Sequence, residues 1–118
     1  MSEQRLHDRL KALTDSYFRQ LPDKFAQADR LWKEILSRGE WGAQARELHR
    51  LLHSLAGSGA TFGAQELSAC ARDFEHHLQD CVQQAPPINA DEAGRMELHL
   101  QQLASCIDRE VRQYSARS

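Results

Sequence analysis

The stretch Leu48-His49-Arg50-Leu51-Leu52-His53-Ser54-Leu55-Ala56-Gly57-Ser58-Gly59 decides how the whole chain is read. At helical spacing Leu48, Leu51, Leu52 and Leu55 form one continuous apolar stripe, the kind a helix buries in a core. Beside it runs a second stripe of His49, His53, Ala56, Gly57 and Ala60, stacked by spacings of three and four. A histidine therefore sits mid-helix, with nearly side-chain-free positions one turn beyond it. Glycine inside a helix costs about 1 kcal/mol relative to alanine, so Gly57 needs a reason. Close approach of another molecule to that face is one.

Outward from this stretch nearly everything has helical periodicity. Leu6, Leu10, Leu13, Tyr17, Leu21, Phe25, Ala28, Trp32 and Ile35 follow one another by threes and fours, predicting a core-facing stripe from the start of the chain. Pro22 removes a backbone donor from that run, yet the apolar phase survives it, which favours a kinked helix over a break. Thr14, Asp15 and Ser16 offer caps if a short first helix ends there instead. Ser37 to Gly42 is a turn, with Gly39 placed to stop the preceding helix. The central helix is expected from about Ala43 to Ser58. Thr61-Phe62-Gly63 reverses the chain, with Phe62 plugging the bundle end. From Ala64 a further helix turns Leu67, Cys70, Ala71, Phe74, Leu78, Cys81 and Val82 inward. Pro86-Pro87 marks a connector, and Asn89 with Glu92 resembles a capping arrangement for a last helix burying Met96, Leu100, Leu103, Ile107, Val111 and Tyr114. No stretch alternates as a strand would. The expected fold is an all-α antiparallel four-helix bundle with an N-terminal helical extension or kink, one domain over residues 1–118.

The bulk properties narrow the function classes. The net charge is -2 with both signs interspersed, so no nucleic-acid footprint shows. No apolar run approaches the roughly 20 residues of a membrane span, and the first residues lack a signal-peptide core. Cys70, Cys81 and Cys106, an odd number without a CxxC, fit reduced thiols, so a cytoplasmic protein is expected. The glycines at 57 to 63 are not followed by the lysine-serine or lysine-threonine of a P-loop, so no nucleotide site is expected.

Among the six histidines, His7 and His99 are most simply surface residues. His76 and His77 point about 100° apart on a helix and cannot make one bidentate site. His49 and His53 share a face, and such an i, i+4 pair can hold zinc. A site needs further ligands, and no neighbouring carboxylate or cysteine is evident in the sequence, so no metal is expected. Taken alone, His53 is most simply a surface or half-buried residue satisfied by a hydrogen bond.

Context changes that balance. His53-Ser54-Leu55-Ala56-Gly57-Ser58, followed by Gly63 and Leu67, resembles the phosphoacceptor segment of histidine-containing phosphotransfer (HPt) domains. That pattern is a histidine, a leucine two residues later, usually a lysine next, then glycine and serine, with a glycine and a leucine opening the following helix. Every element is present except the lysine, whose place Ala56 takes. Tyr17 to Pro22 and the turn at Gly39 to Trp41 resemble the family upstream, so the likeness covers most of residues 14 to 84.

The resemblance implies a phosphorelay intermediate rather than an enzyme. His53 would accept a phosphoryl group from a receiver-domain aspartate and pass it to another response-regulator receiver, with a hybrid sensor histidine kinase upstream. Arg46, His49, Arg50, Ala56, Gly57, Ser58 and Ala60 would form the docking surface. No cofactor of its own is expected; magnesium would come with the partner receiver, since this chain has no clustered carboxylates for it. Arg46, Arg50 and His49 would offset the missing lysine charge, unless they are simply a solvated face. Ser58 would hydrogen-bond near the helix end or cap it. Imidazole is largely neutral at cellular pH and a competent nucleophile. Two other readings stay open: an adaptor that binds a receiver or kinase without transfer, and a structural or metal-binding bundle. A monomer is the default, and Met1 leans towards a free-standing protein.

Overall fold

A computed structural model describes residues 2–117. Four helices follow one another: α1 (Ser2–Arg38), α2 (Gly42–Thr61), α3 (Gln65–Gln84) and α4 (Ala90–Arg117), with no strand among the described residues. Each packs on its chain neighbours, and α4 closes the ring against α1; among the described residues no Cα atoms of diagonally opposite helices approach within 8 Å. This is the expected all-α four-helix bundle.

The apolar stripes account for the packing. Phe18, Leu21, Ala28, Leu31, Trp32 and Ile35 of α1 meet Leu48, Leu52 and Leu55 of α2, Leu67, Ala71, Phe74 and Leu78 of α3, and Met96, Leu100, Leu103 and Ile107 of α4 in one core. Helix α1 runs unbroken through Pro22, so Thr14, Asp15 and Ser16 cap nothing; Thr14 Oγ1 instead donates back to Leu10 O (2.8 Å). Pro22 sits on the exposed side, where a missing N–H is tolerated best.

The expected inward stripe is overturned at its start. Leu6, Leu10 and Leu13 are 58%, 54% and 59% exposed. They have the right period, but α1 has 37 residues against 20 in α2, so its first turns project past the bundle wall. An aromatic cluster marks where the wall begins. Tyr17 stacks on Phe62 of the α2–α3 turn (4.5 Å between ring centres), and Phe18 stacks on Tyr114 of α4 (4.2 Å). Asp15 accepts a hydrogen bond from the Tyr114 hydroxyl beside them.

The connectors are tied to the core. Gly39 takes φ +70° and its N–H bonds Ile35 O (2.9 Å), the left-handed stop that glycine suits. Trp41 is buried and its indole donates to Pro86 O (2.9 Å), joining the first connector to the third. Asn89 Oδ1 accepts the Glu92 N–H (2.9 Å), so the cap of α4 is there. The Glu92 side chain does not return the bond but turns inward. Helix α2 extends beyond the expected 43–58, and the reason lies at Gly59. A Cβ there would sit 3.1 Å from Ala64 O and 3.2 Å from Ser68 N, so α3 starts in van der Waals contact with the α2 backbone. Ser68 Oγ donates to Ala56 O (2.6 Å) across the same seam.

Candidate functional site

Helix α2 presents His53 at the surface, its side chain 77% exposed. The ring is nevertheless fixed. Glu75, on α3 and only 8% exposed, places Oε2 2.7 Å from His53 Nδ1. A carboxylate accepts and cannot donate, so Nδ1–H is the donor and the lone pair lies on Nε2. His49, one turn earlier, stacks parallel to His53 at 6.5 Å and brings its Nε2 to 3.5 Å from the same Glu75 oxygen. That approach misses hydrogen-bond geometry and leaves the buried His49 Nε2 without a bonded partner. The carboxylate that seemed lacking for His49 and His53 therefore exists, on the neighbouring helix.

Glu75 escaped the sequence reading although a signal was present. It lies four residues after Ala71 and three before Leu78, in phase with the inward positions of α3. A charged residue in a core phase needs a partner. Which partner follows only from the α2–α3 register.

The remaining expected docking residues separate into two groups. Arg46, Arg50, Gly57 and Ala60 are exposed, and His49 is half-buried. By helical geometry all five lie within about 60° of His53 around α2. Arg46, His49 and Arg50 also line a shallow groove with Gln79, Val82 and Gln83 of α3. Gly57 faces open space, with nothing within 4 Å of where a Cβ would be. Ala56 is different: at 4% exposure it belongs to the core, so its expected place on the docking surface is corrected. The Ser68 bond to its carbonyl shows which helix covers it. Ser58 also leaves that surface, lying about 140° round α2 from His53. It is half-buried towards α1, donates to Ser54 O (2.7 Å) and reaches the Tyr17 hydroxyl at 3.5 Å. It caps nothing, because α2 continues to Thr61. Burial raises the Tyr17 phenol above its usual range, partly offset by that Ser58 bond.

A second group of polar side chains lies at the α3–α4 junction. Glu92 Oε1 accepts from His77 Nε2 (2.8 Å) and from the Cys81 thiol (2.9 Å), while Arg95 grips Oε2 (2.7 Å from Nη2). Burial pushes the Glu92 carboxyl up, but the Cys81, Arg95 and His77 bonds together outweigh it and leave it below the ordinary value. Burial, then the Glu92 bond, push the Cys81 thiol up to about 12. His99 is not the expected surface residue. It is half-buried, stacked on Phe74 (5.0 Å) and His77 (5.1 Å), and burial lowers its pKa.

The geometry is thus that of a four-helix bundle presenting a solvent-facing imidazole, His53, held through Nδ1 by the buried carboxylate of Glu75. The family model described as Hpt domain matches residues 12–107, and the chain belongs to that family. Membership implies a histidine phosphotransfer role in a phosphorelay, together with two-component receiver domains and kinases. No curated protein and no solved structure matches the chain. Among the described residues no helix is long and apolar enough to cross a membrane.

Proposed function

We propose that His53 is the phosphoacceptor, and that it reacts through Nε2. The observation that carries this is the 2.7 Å contact from Nδ1 to Glu75 on a side chain that is 77% exposed. One nitrogen is pinned inward and the other faces solvent with its lone pair free. In-line attack by Nε2 on the phosphorus of a receiver aspartyl phosphate forms the P–N bond as the P–O bond to the aspartate breaks. The receiver carboxylate leaves, and the positive charge developing on the ring is met by Glu75 through Nδ1–H. The reverse steps pass the phosphoryl group to another response-regulator receiver, with a hybrid sensor histidine kinase as the original source. Magnesium belongs to the receiver. This chain supplies position and no catalysis of its own, acts in the cytoplasm, and works as a monomer.

The docking surface in this reading is Arg46, His49, Arg50, Gly57 and Ala60. Arg46 and Arg50 offer the positive charge that a lysine beside the acceptor would give. The test is transfer from a panel of phosphorylated receiver domains to wild type and His53→Gln. Acid-labile, base-stable label on wild type alone is expected. Label that persists in His53→Gln overturns the assignment.

One observation favours a second reading. The position where the family usually carries lysine is Ala56, buried and unable to touch a phosphoryl group. A non-transferring adaptor would bind a receiver as well after His53→Ala and never become labelled.

A further inference from the structure

The junction of α3 and α4 brings together three side chains of metal-binding type. His77 and Cys81 are one turn apart on α3, and Glu92 enters from the first turn of α4. Their Nε2, Sγ and Oε1 atoms all lie within 4.8 Å of one another. The edges of that triangle are 2.8 Å (N to O), 2.9 Å (S to O) and 3.8 Å (N to S). With zinc–nitrogen and zinc–oxygen bonds near 2.0–2.1 Å and zinc–sulfur near 2.3 Å, a tetrahedral site has edges of roughly 3.3–3.6 Å. Two edges need to open by about half an ångström and the third to close slightly, within the reach of side-chain torsions. We propose that His77, Cys81 and Glu92 form a zinc site whose fourth position is taken by water.

Charge, orientation and access all support this assignment. One thiolate and one carboxylate neutralise a dication, so the buried centre carries no net charge. Glu92 Oε2 is occupied by Arg95, which leaves Oε1 as the free ligand atom and fixes its direction, as partners behind a metal ligand commonly do. The His77 ring is held by its stack on His99. Cys81 and Glu92 are buried, while the His77 side chain is 25% exposed and opens the way in. Binding is a proton exchange without redox change. The Cys81 thiol proton leaves to solvent as the sulfur–metal bond forms, and the proton on His77 Nε2 is replaced by one on Nδ1, so one proton is released per zinc. The metal would fasten the end of α3 to the start of α4 across the 85–89 connector.

Cobalt reports such a site directly. Titrating cobalt(II) into the full chain near neutral pH should give a thiolate-to-cobalt charge-transfer band that saturates at one equivalent and is abolished by one equivalent of zinc. The band should vanish in Cys81→Ser and in His77→Ala, and persist in His53→Gln and in the Cys70→Ser/Cys106→Ser double variant. Proton release on adding zinc to wild type, about one per metal, is an independent readout if Cys81→Ser does not fold. No band at stoichiometric cobalt, a band that survives Cys81→Ser, or zinc binding without proton release overturns the proposal. None of these outcomes bears on phosphotransfer at His53.

Discussion

Replacing Gly57 by alanine separates the demands of the fold from those of a partner. Inside α2 a glycine costs about 0.5–1 kcal/mol relative to alanine. The added methyl would meet nothing within 4 Å, so no clash opposes the gain. Gly57→Ala should therefore stabilise the chain by about 0.5–1 kcal/mol, raising Tm by about 2–4 °C for a domain of this size. Two residues on, the same substitution should do the opposite. A Cβ at Gly59 would lie 3.1–3.3 Å from Ala64 O, Ser68 N and Ser68 Cα, all backbone atoms that yield only if α3 moves. Overpacking of that kind costs about 1–3 kcal/mol, which exceeds the propensity gain. Urea unfolding followed by far-UV circular dichroism measures both. Phosphotransfer from a receiver completes the comparison: the methyl of Gly57→Ala stands one turn from His53 on the proposed docking face. Displacing reacting groups by about 1 Å can cost up to ~100-fold in rate. A Gly57→Ala protein that is less stable than wild type refutes the helix argument. One that is more stable and transfers at the wild-type rate refutes the claim that the glycine serves docking.

Three further expectations follow from the same geometry. Leu55→Ala removes a side chain that is 3% exposed and should cost about 2–5 kcal/mol by chemical denaturation, whereas His53→Gln, at an exposed position, should change stability by less than about 1 kcal/mol; a strongly destabilised His53→Gln would show that the imidazole is structural. Glu75→Gln should weaken the preference for the Nδ1–H form of His53, visible in long-range proton–nitrogen NMR spectra, and slow transfer with little change in receiver affinity; an unchanged tautomer would remove the role given to Glu75. The Tyr114 bond, then the Lys11 bond, hold the Asp15 carboxyl below its ordinary range, so its contribution is present above about pH 4 and fades as pH falls through the folded-state value. Tyr114→Phe should accordingly lose stability at neutral pH and converge on wild type in acid; a gap that widens in acid contradicts that pairing.

The bundle was legible because burial writes a period of 3.6 into each helix, and Leu21, Leu52, Phe74 and Leu103 all sit where that period puts them, whereas in the first helix Phe18 is buried and the expected Tyr17 only partly so. Periodicity has no means of saying whether another element lies opposite. Leu6, Leu10 and Leu13 keep the phase of the core stripe while facing solvent, because the bundle ends near Tyr17. The histidine proposed as phosphoacceptor was legible as a motif, but its brace was not. Glu75 is 22 residues away from His53, and the contact exists only once α3 is packed against α2. Ala56 fell on the wrong side of a boundary for the same reason. On α2 alone it neighbours the exposed face, and only the presence of α3 makes it interior.

The length of α1 has a hydrodynamic consequence. A compact chain of 118 residues has a radius of gyration of about 13.5 Å, whereas this one reaches 16.1 Å with principal extents of 58 × 23 × 20 Å. Such a rod sweeps out more solvent as it tumbles than a sphere of the same mass. It should leave a sizing column early and relax slowly about its short axes, so early elution reports the projecting helix as readily as a second copy. Mass from light scattering, which is blind to shape, distinguishes the two.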